Sequence, residues 1–321
     1  MKKLISVMLS MVLMLTLSVP AFAADPVNDL NSLATLNIQI STSTDENGAT
    51  KTTFSNFDAF IDSAHSMYPD LSDYEIATFL MDYTGQQYYD LPEEEILLFL
   101  TYDSITTSTA YLLIDSEGDA SLSFSDAVPY DSDLWPSPDG YMKIETSSAY
   151  RKTVGNENYF TVSARATWLK YPSVALEDAF VLGTSGTFDD DYSEYGSVSQ
   201  TFSCASGCSR NTYRNRIVRQ NQTVDGDLSL EYENFVPSLH FVPISPRCDY
   251  CNGDAHDKYF SVFIRYGMIA DESVNIQAGY GHKTLGIGSI SVGVDITGTP
   301  SFSAGLATVK PYIARPLTVS K

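Results

Sequence analysis

Alternation of apolar and polar residues, interrupted by turns, dominates the chain from residue 141 to its C-terminus. Successive side chains of a strand point to opposite faces of a sheet, so a period of two predicts strands buried on one face. The clearest strand pair spans 141–151 and 159–169, joined by the turn Gly155-Asn156-Glu157-Asn158. Many short strands separated by turns indicate an antiparallel β-sandwich over residues 141–321. Further strands are predicted at 179–183, 197–203, 214–220, 227–232, 259–266, 273–280, 287–296 and 301–306.

The stretch 285–296 holds two alternating apolar runs whose phase shifts by one residue near Gly288-Ser289. An extra residue in one strand of a pair produces such a shift, so the pattern predicts a β-bulge. His282 follows the predicted strand 273–280 in a Gly-rich segment. We therefore expect His282 to lie in a turn; the alternative is that it serves as a catalytic base.

Between residues 55 and 102 the apolar period becomes helical, which predicts three short amphipathic helices. Ser55 is a candidate cap for the first, Ser72 with Glu75 forms a capping box for the second, and Asp90 with Glu93 repeats that device for the third. A hairpin over 110–114 and 120–124 follows. The predicted fold class is α+β: a polar segment (24–54), a helical subdomain with a hairpin (55–124), a linker (125–140) and the sandwich.

Several short motifs lie within residues 90–185: Thr106-Thr107-Ser108-Thr109, Gly140-Tyr141-Met142-Lys143-Ile144 and, most specifically, Ala164-Arg165-Ala166-Thr167-Trp168-Leu169. In these the chain resembles a group of uncharacterised secreted bacterial proteins that share a β-rich region. The resemblance implies export and a β fold, and it transfers no functional residue.

The N-terminus has the layout of a secretory signal peptide. Two lysines precede an apolar run at 4–17, and Ala21-Phe22-Ala23 has the small-x-small pattern cut by signal peptidase, which predicts cleavage after Ala23. The apolar run is short for a membrane span, and no second apolar segment of about twenty residues follows it. We expect a secreted, extracellular protein whose mature chain has no membrane span.

The net charge of the chain limits the classes of partner that can be expected. The chain carries 40 acidic and 19 basic residues, a net charge of −21, and removal of the leader lysines makes it more negative. Nucleic acids and anionic membranes are bound through basic surfaces, so neither is an expected partner. Solubility in an extracellular medium explains the charge most simply, with calcium or a cationic partner as alternatives.

The four cysteines form two close pairs, Cys204-x3-Cys208 and Cys248-x2-Cys251, at predicted hairpin tips. Cysteines of exported proteins usually form disulfides, but two close pairs of thiols also suit tetrahedral Zn²⁺, and His256 could replace one thiolate. Two disulfides, a structural zinc and free thiols all remain open.

Two other features are candidates for binding. Asp189, Asp190, Asp191 and Glu194 could offer oxygens to Ca²⁺, but contiguous carboxylates lack the spacing of an EF-hand, which favours a solvated loop. Trp135 lies in a loop beside a proline and is a candidate for an exposed ligand contact. Trp168 lies in a predicted strand of alternating apolar residues and is expected in the core.

No nucleophile elbow, His-Glu-x-x-His or P-loop is present in the sequence. The leading functional hypothesis is a secreted or surface-associated, non-catalytic module that binds a glycan or a protein. The first alternative is a secreted hydrolase that uses a pair of carboxylates. A membrane-active protein is a third hypothesis, suggested by long strands rich in serine and threonine.

Overall fold

A computed structural model describes residues 26–44, 50–86, 88, 91–115, 119–123, 140–170, 178–189, 195–204, 212–218, 223–224, 228–233, 236–241, 255–314 and 316–320. Within these ranges the chain is mainly antiparallel β-sheet with a few helices, which confirms the β-rich α+β expectation. The predicted linker, apart from Gly140, lies outside the described residues.

The described helices lie in the N-terminal third of the chain, and two short strands separate the first helix from the others. In order they are α1 (Pro26–Asn37), β1 (Gln39–Thr44), β2 (Thr50–Ser55), α2 (Phe57–Met67), α3 (Asp73–Tyr83) and α4 (Glu93–Leu97), after which a 3₁₀ turn spans Leu98–Thr101.

The structure confirms one of the three predicted helix N-caps and contradicts the other two. The capping box at α3 is confirmed, because the Ser72 hydroxyl accepts from the Glu75 N–H while the Glu75 carboxylate accepts from the Ser72 N–H. At α2 the predicted Ser55 cap is wrong. Ser55 ends strand β2, and Asn56 takes the cap position with a left-handed backbone, φ 70°. At α4 the cap is Pro92 without a side-chain hydrogen bond, not Asp90.

Strands account for most of the remaining described residues. They are β3 (Ser104–Ile114), β4 (Ala120–Ser123), β5 (Gly140–Val154), β6 (Glu157–Lys170), β7 (Asp178–Thr184), β8 (Thr187–Phe188), β9 (Tyr195–Cys204), β10 (Thr212–Val218), β11 (Thr223–Val224), β12 (Leu228–Glu233), β13 (Val236–Phe241), β14 (Ala255–Ala270), β15 (Ser273–Val294), β16 (Pro300–Ile313) and β17 (Leu317–Ser320).

Ten of the described strands form one antiparallel sheet in the order β1-β2-β3-β5-β6-β14-β9-β10, with β4 paired to β3 and β8 paired to β14. The predicted hairpin of β5 and β6 is confirmed, and its turn is tighter than expected because Val154 already pairs with Glu157. Gly155 supplies the positive φ, 65°, that such a turn needs. Strands β1, β2 and β3 belong to this same sheet, so the sheet runs from the N-terminal segment into residues 140–170.

Seven described strands form a second antiparallel sheet in the order β11-β12-β13-β7-β15-β16, with β17 paired to β15. The two strands predicted at 273–280 and 287–296 are one strand, β15, whose pairing with β16 shifts at Lys283/Leu285 and again at Ile287/Ile290. The second shift matches the predicted bulge. Beyond these shifts the hairpin returns over its own sheet, because Ile290 packs with Ala179 of β7.

Besides the small cluster around Ile290, two larger apolar clusters hold the described elements together. The larger contains buried residues of both sheets, including Trp168 of β6 and Tyr280 of β15, so the expectation that Trp168 lies in the core is confirmed. The second joins the helices to the ten-stranded sheet, because Phe60 and Leu80 pack in one cluster with Ile105 and Ala149 of the strands. The helices therefore cover part of one face of that sheet.

Candidate functional site

A cleft opens where α3 and α4 meet the ten-stranded sheet, and we call it the helix–sheet cleft. Gln86, Glu95 and Phe99 line it from the helical side. The strands contribute Glu145 and Ser147 of β5, Thr161, Ser163 and Arg165 of β6, and Phe263 and Arg265 of β14.

Strand alternation explains why these side chains share one face. In β6 the even-numbered residues, such as Ala164 and Trp168, belong to the core cluster, so the odd-numbered residues point to the opposite face. Cross-strand partners lie on the same face of a sheet. The register aligns Ser147, Ser163 and Arg265 in one row, and Glu145, Arg165 and Phe263 in the next.

Ser163 stands at the centre of the strand side of the cleft. Thr161 and Arg165 flank it along β6, while Ser147 and Arg265 flank it across the neighbouring strands. The Ser147 and Ser163 hydroxyl oxygens lie 2.6 Å apart and share a hydrogen bond. The twist and pairing of three adjacent strands fix these positions, so this wall of the cleft is preorganised.

The cleft contains charges that are almost fully buried. The guanidinium of Arg265 forms an ion pair with the carboxylate of Glu95, whose helix α4 is thereby tied to the sheet. Arg165 donates to the Ser261 hydroxyl at 3.0 Å, and its guanidinium carbon lies 4.8 Å from the centroid of the Phe263 ring. Both arginines are only 4% exposed. Burial on this scale strengthens electrostatic interactions that water would screen.

One hydroxyl in the cleft lacks a partner. Thr161 is 3% exposed, and its Oγ1 makes no hydrogen bond among the described residues. Leaving a buried hydroxyl unsatisfied costs about 1–3 kcal/mol. Thr167 of the same strand shares that property but does not line the cleft.

The cleft is small and opens to solvent. Its empty volume is about 600 Å³ when the adjoining open solvent is included, and about 40 Å³ of it is available to the centres of water molecules. Both figures describe the same cleft. It therefore has room for a few water molecules or for small polar groups of a ligand.

A second polar cluster lies buried between the sheets. Asp178 of β7 accepts hydrogen bonds from Tyr280 at 2.5 Å and pairs with Nδ1 of His282 at 2.7 Å, while Trp168 donates to the Tyr280 hydroxyl at 2.9 Å. Burial raises the pKa of Asp178, and its hydrogen bonds to His282, Tyr280 and the Lys283 backbone oppose that rise. The prediction that His282 lies in a turn is wrong, because it pairs with Asp178 and Lys310 inside β15. With His282 2% exposed, the cluster joins β6 to β7 and β15 rather than facing a described cleft.

The structure brings the predicted cysteine segments to neighbouring strands. Cys204 ends β9 directly opposite Ala255 at the start of β14, and the next residue, His256, lies at an irregularity in that pairing. Cys208, Cys248 and Cys251 lie outside the described residues. The choice among disulfides, zinc and free thiols therefore stays a prediction.

Of the candidate calcium ligands, Asp189 is buried and binds Arg151 at 2.5 Å, so a calcium ion there would compete with a guanidinium. Asp190, Asp191 and Glu194 lie outside the described residues, as do Trp135 and Ala23. Within the described ranges, no three His, Cys, Asp or Glu side chains converge on a point that could hold a metal ion.

Sequence reasoning missed the residues of the cleft. Arg165 and Arg265 carry a signal in retrospect, because each is a charged residue inside an otherwise apolar or small-residue strand segment. On a solvated sheet face that pattern is unremarkable. Nothing in the local sequence marks that helices cover this face.

The chain matches no family model and no curated protein. Among solved structures, one named "Pore forming protein" is similar over 67% of this chain and 90% of that chain, with 8% sequence identity and a TM-score of 0.24. A likeness of this size supports no argument about fold or function. In the described part of the chain, no helix has the length and apolar character needed to cross a membrane.

Proposed function

We propose that this protein is a secreted, non-catalytic binding module that holds a glycan in the helix–sheet cleft. The observation that carries the proposal is the convergence of buried arginines, carboxylates and hydroxyls around Ser163, beside the ring of Phe263. Sites that bind small molecules combine apolar walls with a few polar groups placed on rigid elements.

Sugars suit this set of groups because every sugar hydroxyl both donates and accepts hydrogen bonds. Arg165 and Arg265 offer only donors, Glu95 and Glu145 offer only acceptors, and the serine and threonine hydroxyls offer both. A protein side chain inserted into the cleft is the other ligand class that this surface could accept.

The finer architecture belongs to the same proposal. We infer that the two sheets pack as a sandwich, because one apolar cluster contains residues of both, and that the helices form a small subdomain on the ten-stranded sheet. Export follows from the predicted signal peptide that ends at Ala23. In an oxidising compartment, two disulfides or a structural zinc would tie the adjacent ends of β9 and β14.

A variant with a bulky side chain at the opening of the cleft tests whether the cleft binds the glycan. Gln86 lines the cleft and is partly exposed, so Gln86→Trp places an indole at the mouth without disturbing the buried charges. Gln39→Trp, on exposed strand β1 away from the cleft, is the matched control. We expect wild type and Gln39→Trp to bind the same member of a glycan panel by calorimetry, and Gln86→Trp to lose that binding. Retention of no glycan, or equal binding by both variants, would refute the proposal.

A carboxylate-pair hydrolase is the second candidate, because Glu95 and Glu145 line the same cleft. Glycosidases use one protonated and one ionised carboxyl group, whereas here Glu95 pairs with Arg265 and Glu145 pairs with Lys143 at 2.6 Å. This arrangement favours binding over catalysis. Release of reducing sugar from a bound glycan, abolished by Glu145→Gln, would replace the binding proposal with hydrolysis.

A further inference from the structure

We propose that a corner of the β15–β16 hairpin docks this protein on a neutral lipid surface. The corner consists of residues 284–289 of β15 and 304–308 of β16, and we call it the hairpin corner. It belongs to the seven-stranded sheet, whereas the helix–sheet cleft lies on the ten-stranded sheet, so this inference does not rest on glycan binding. Exposed leucines, the absence of charge and an ordered backbone carry it.

Two large apolar side chains project from the hairpin corner. Leu285 is 71% exposed and Leu306 is 89% exposed. Among the large apolar side chains of the described residues, only those of Leu36 and Ile296 are exposed to a similar degree. Leu306 pairs with Ile287, two positions along β15 from Leu285, so the two leucines are near neighbours across the hairpin.

The hairpin is depleted of charge in a strongly charged protein. Residues 284–309 contain one charged side chain, that of Asp295, although 18% of the whole chain is charged. Asp295 lies at the far end of the hairpin, where its Oδ1 accepts from the N–H groups of Thr297 and Thr299. The hairpin corner itself is neutral, so it can enter a lipid surface without removing a charge from water.

The charge that borders the corner suits a lipid headgroup. Lys310 follows the corner in β16, and its Nζ lies 2.7 Å from Oδ1 of Asp119, whose side chain is 64% exposed. An exposed ion pair contributes little, so a headgroup phosphate can compete for this ammonium group. Long basic side chains place their charge among the headgroups when an adjacent apolar segment enters the lipid. The net charge of −21 opposes an anionic surface, which leaves a zwitterionic one.

The backbone of the hairpin corner is ordered before any contact. Register shifts lie on both sides of Gly286, whose φ is 104°, and they turn the hairpin. Beyond the turn, the ring of Phe302 lies against Gly279 and Gly281 of the sheet. The leucines therefore stand on a paired and packed hairpin, and docking them costs little ordering entropy.

A lipid surface explains the composition of the corner better than a protein partner does. Residues 284–309 contain no Trp, Tyr or Arg, the residue types that dominate the binding energy of protein interfaces. Their one aromatic residue, Phe302, is turned toward the sheet. Two leucines among glycines and serines offer a partner protein little area, whereas hydrocarbon gains from each buried aliphatic side chain separately.

The experiment is flotation of the full mature protein with vesicles of pure phosphatidylcholine. We expect the protein to float with these vesicles. Less of it should float at low salt when about a third of the lipid is phosphatidylserine, because the negative protein is repelled, and added salt should remove that difference. Absence of the protein from the floating phosphatidylcholine fraction would overturn the inference.

Paired variants locate the contact. Leu285→Ser and Leu306→Ser should each weaken vesicle binding roughly tenfold, through loss of one buried aliphatic side chain. Leu36→Ser on α1 and Ile296→Ser at the far end of the hairpin are the matched controls, since these side chains are 83% and 96% exposed, and both should bind like wild type. All four variants should unfold at the wild-type urea concentration, because they change exposed positions.

A gain-of-signal variant separates lipid contact from a general loss of binding. Leu306→Trp should keep vesicle binding, and its fluorescence emission should shift to shorter wavelength when vesicles are added, because an indole ring favours the lipid–water interface. Leu36→Trp should show no such shift. Equal shifts, or equal losses in all four serine variants, would overturn the placement at the hairpin corner.

Two further outcomes separate this inference from its neighbours. Sedimentation without lipid should show a monomer, and a dimer that Leu306→Ser dissociates would assign the corner to a second copy of the chain instead. Gln86→Trp should bind vesicles like wild type, because Gln86 lines the helix–sheet cleft. Failure of glycan binding therefore leaves lipid docking standing, and failure of lipid docking leaves glycan binding standing.

Discussion

The ion pair between Glu95 and Arg265 should make a large contribution to stability when either partner is removed alone. Their side chains are only 7% and 5% exposed, so both charges depend on each other and on nearby polar groups rather than on water. Removing one partner of a buried pair costs about 3–5 kcal/mol, because the other charge stays buried without compensation. We therefore expect Glu95→Leu and Arg265→Met each to lower the free energy of unfolding by that amount.

The double variant should behave differently from the sum of the two single variants. With both charges replaced by apolar groups of similar volume, no uncompensated charge remains, and such replacements are often neutral or stabilising. Glu95→Leu combined with Arg265→Met should therefore lie within about 1 kcal/mol of wild type, which gives a coupling of several kcal/mol in a double-mutant cycle. Urea unfolding followed by circular dichroism measures all four proteins, and hydrogen exchange of α4 shows whether the loss is local.

An exposed pair supplies the control. Nζ of Lys310 lies 2.7 Å from Oδ1 of Asp119, but the Asp119 side chain is 64% exposed. Lys310→Met should therefore lower the free energy of unfolding by at most about 1 kcal/mol. If Glu95→Leu costs no more than Lys310→Met, water reaches the buried pair. That result would refute the low-dielectric character of the cleft on which the ligand argument depends.

Three further predictions follow from particular contacts. Gly281→Ala places a Cβ 2.5 Å from Cδ1 of Phe302 and should cost about 1–3 kcal/mol in urea unfolding, whereas Gly305→Ala meets no atom within 4 Å and should change stability by less than about 0.5 kcal/mol; equal effects would refute the packing of the returning hairpin. Burial raises the pKa of Asp178 above its ordinary 3.8, so the folded state binds more protons than the unfolded state just above that value. The contribution of Asp178 to stability should therefore fall as pH rises through the folded pKa, and Asp178→Asn should remove this slope; an unchanged slope would contradict the assignment. Intact mass under native and denaturing conditions should show either a loss of about four hydrogens, for two disulfides, or a zinc ion that denaturation releases. If the mass shows neither change, the four cysteines are free thiols.

Local sequence predicts an element well where its signals are self-contained. The capping box of Ser72 and Glu75 involves groups three residues apart, so the start of α3 could be predicted from sequence. The β5–β6 hairpin is likewise defined by adjacent alternating runs and a tight turn.

Local sequence fails where partners are distant. Ser55 is a reasonable helix cap in isolation, but it pairs with Gln39 and Ser104 in the sheet, which leaves Asn56 to begin α2. Helix α1 gives little signal in the sequence, because it is mostly polar and its few apolar residues, such as Leu30 and Leu33, are buried only by the cluster that they join. The Gly-rich segment around His282 predicts a turn, but pairing with β7 and β16 keeps that segment extended within β15.

The sequence by itself determines that this is a β-rich chain with early helices, that Trp168 faces a core, and that Arg165 lies on the opposite face of its strand. A period of two residues is enough to assign faces, because side chains alternate along any strand. It does not say what covers a face. Only the tertiary structure places α3 and α4 over Arg165, Arg265 and Thr161, and burial there turns an ordinary polar sheet face into a cleft whose charges and hydroxyl are shielded from bulk water.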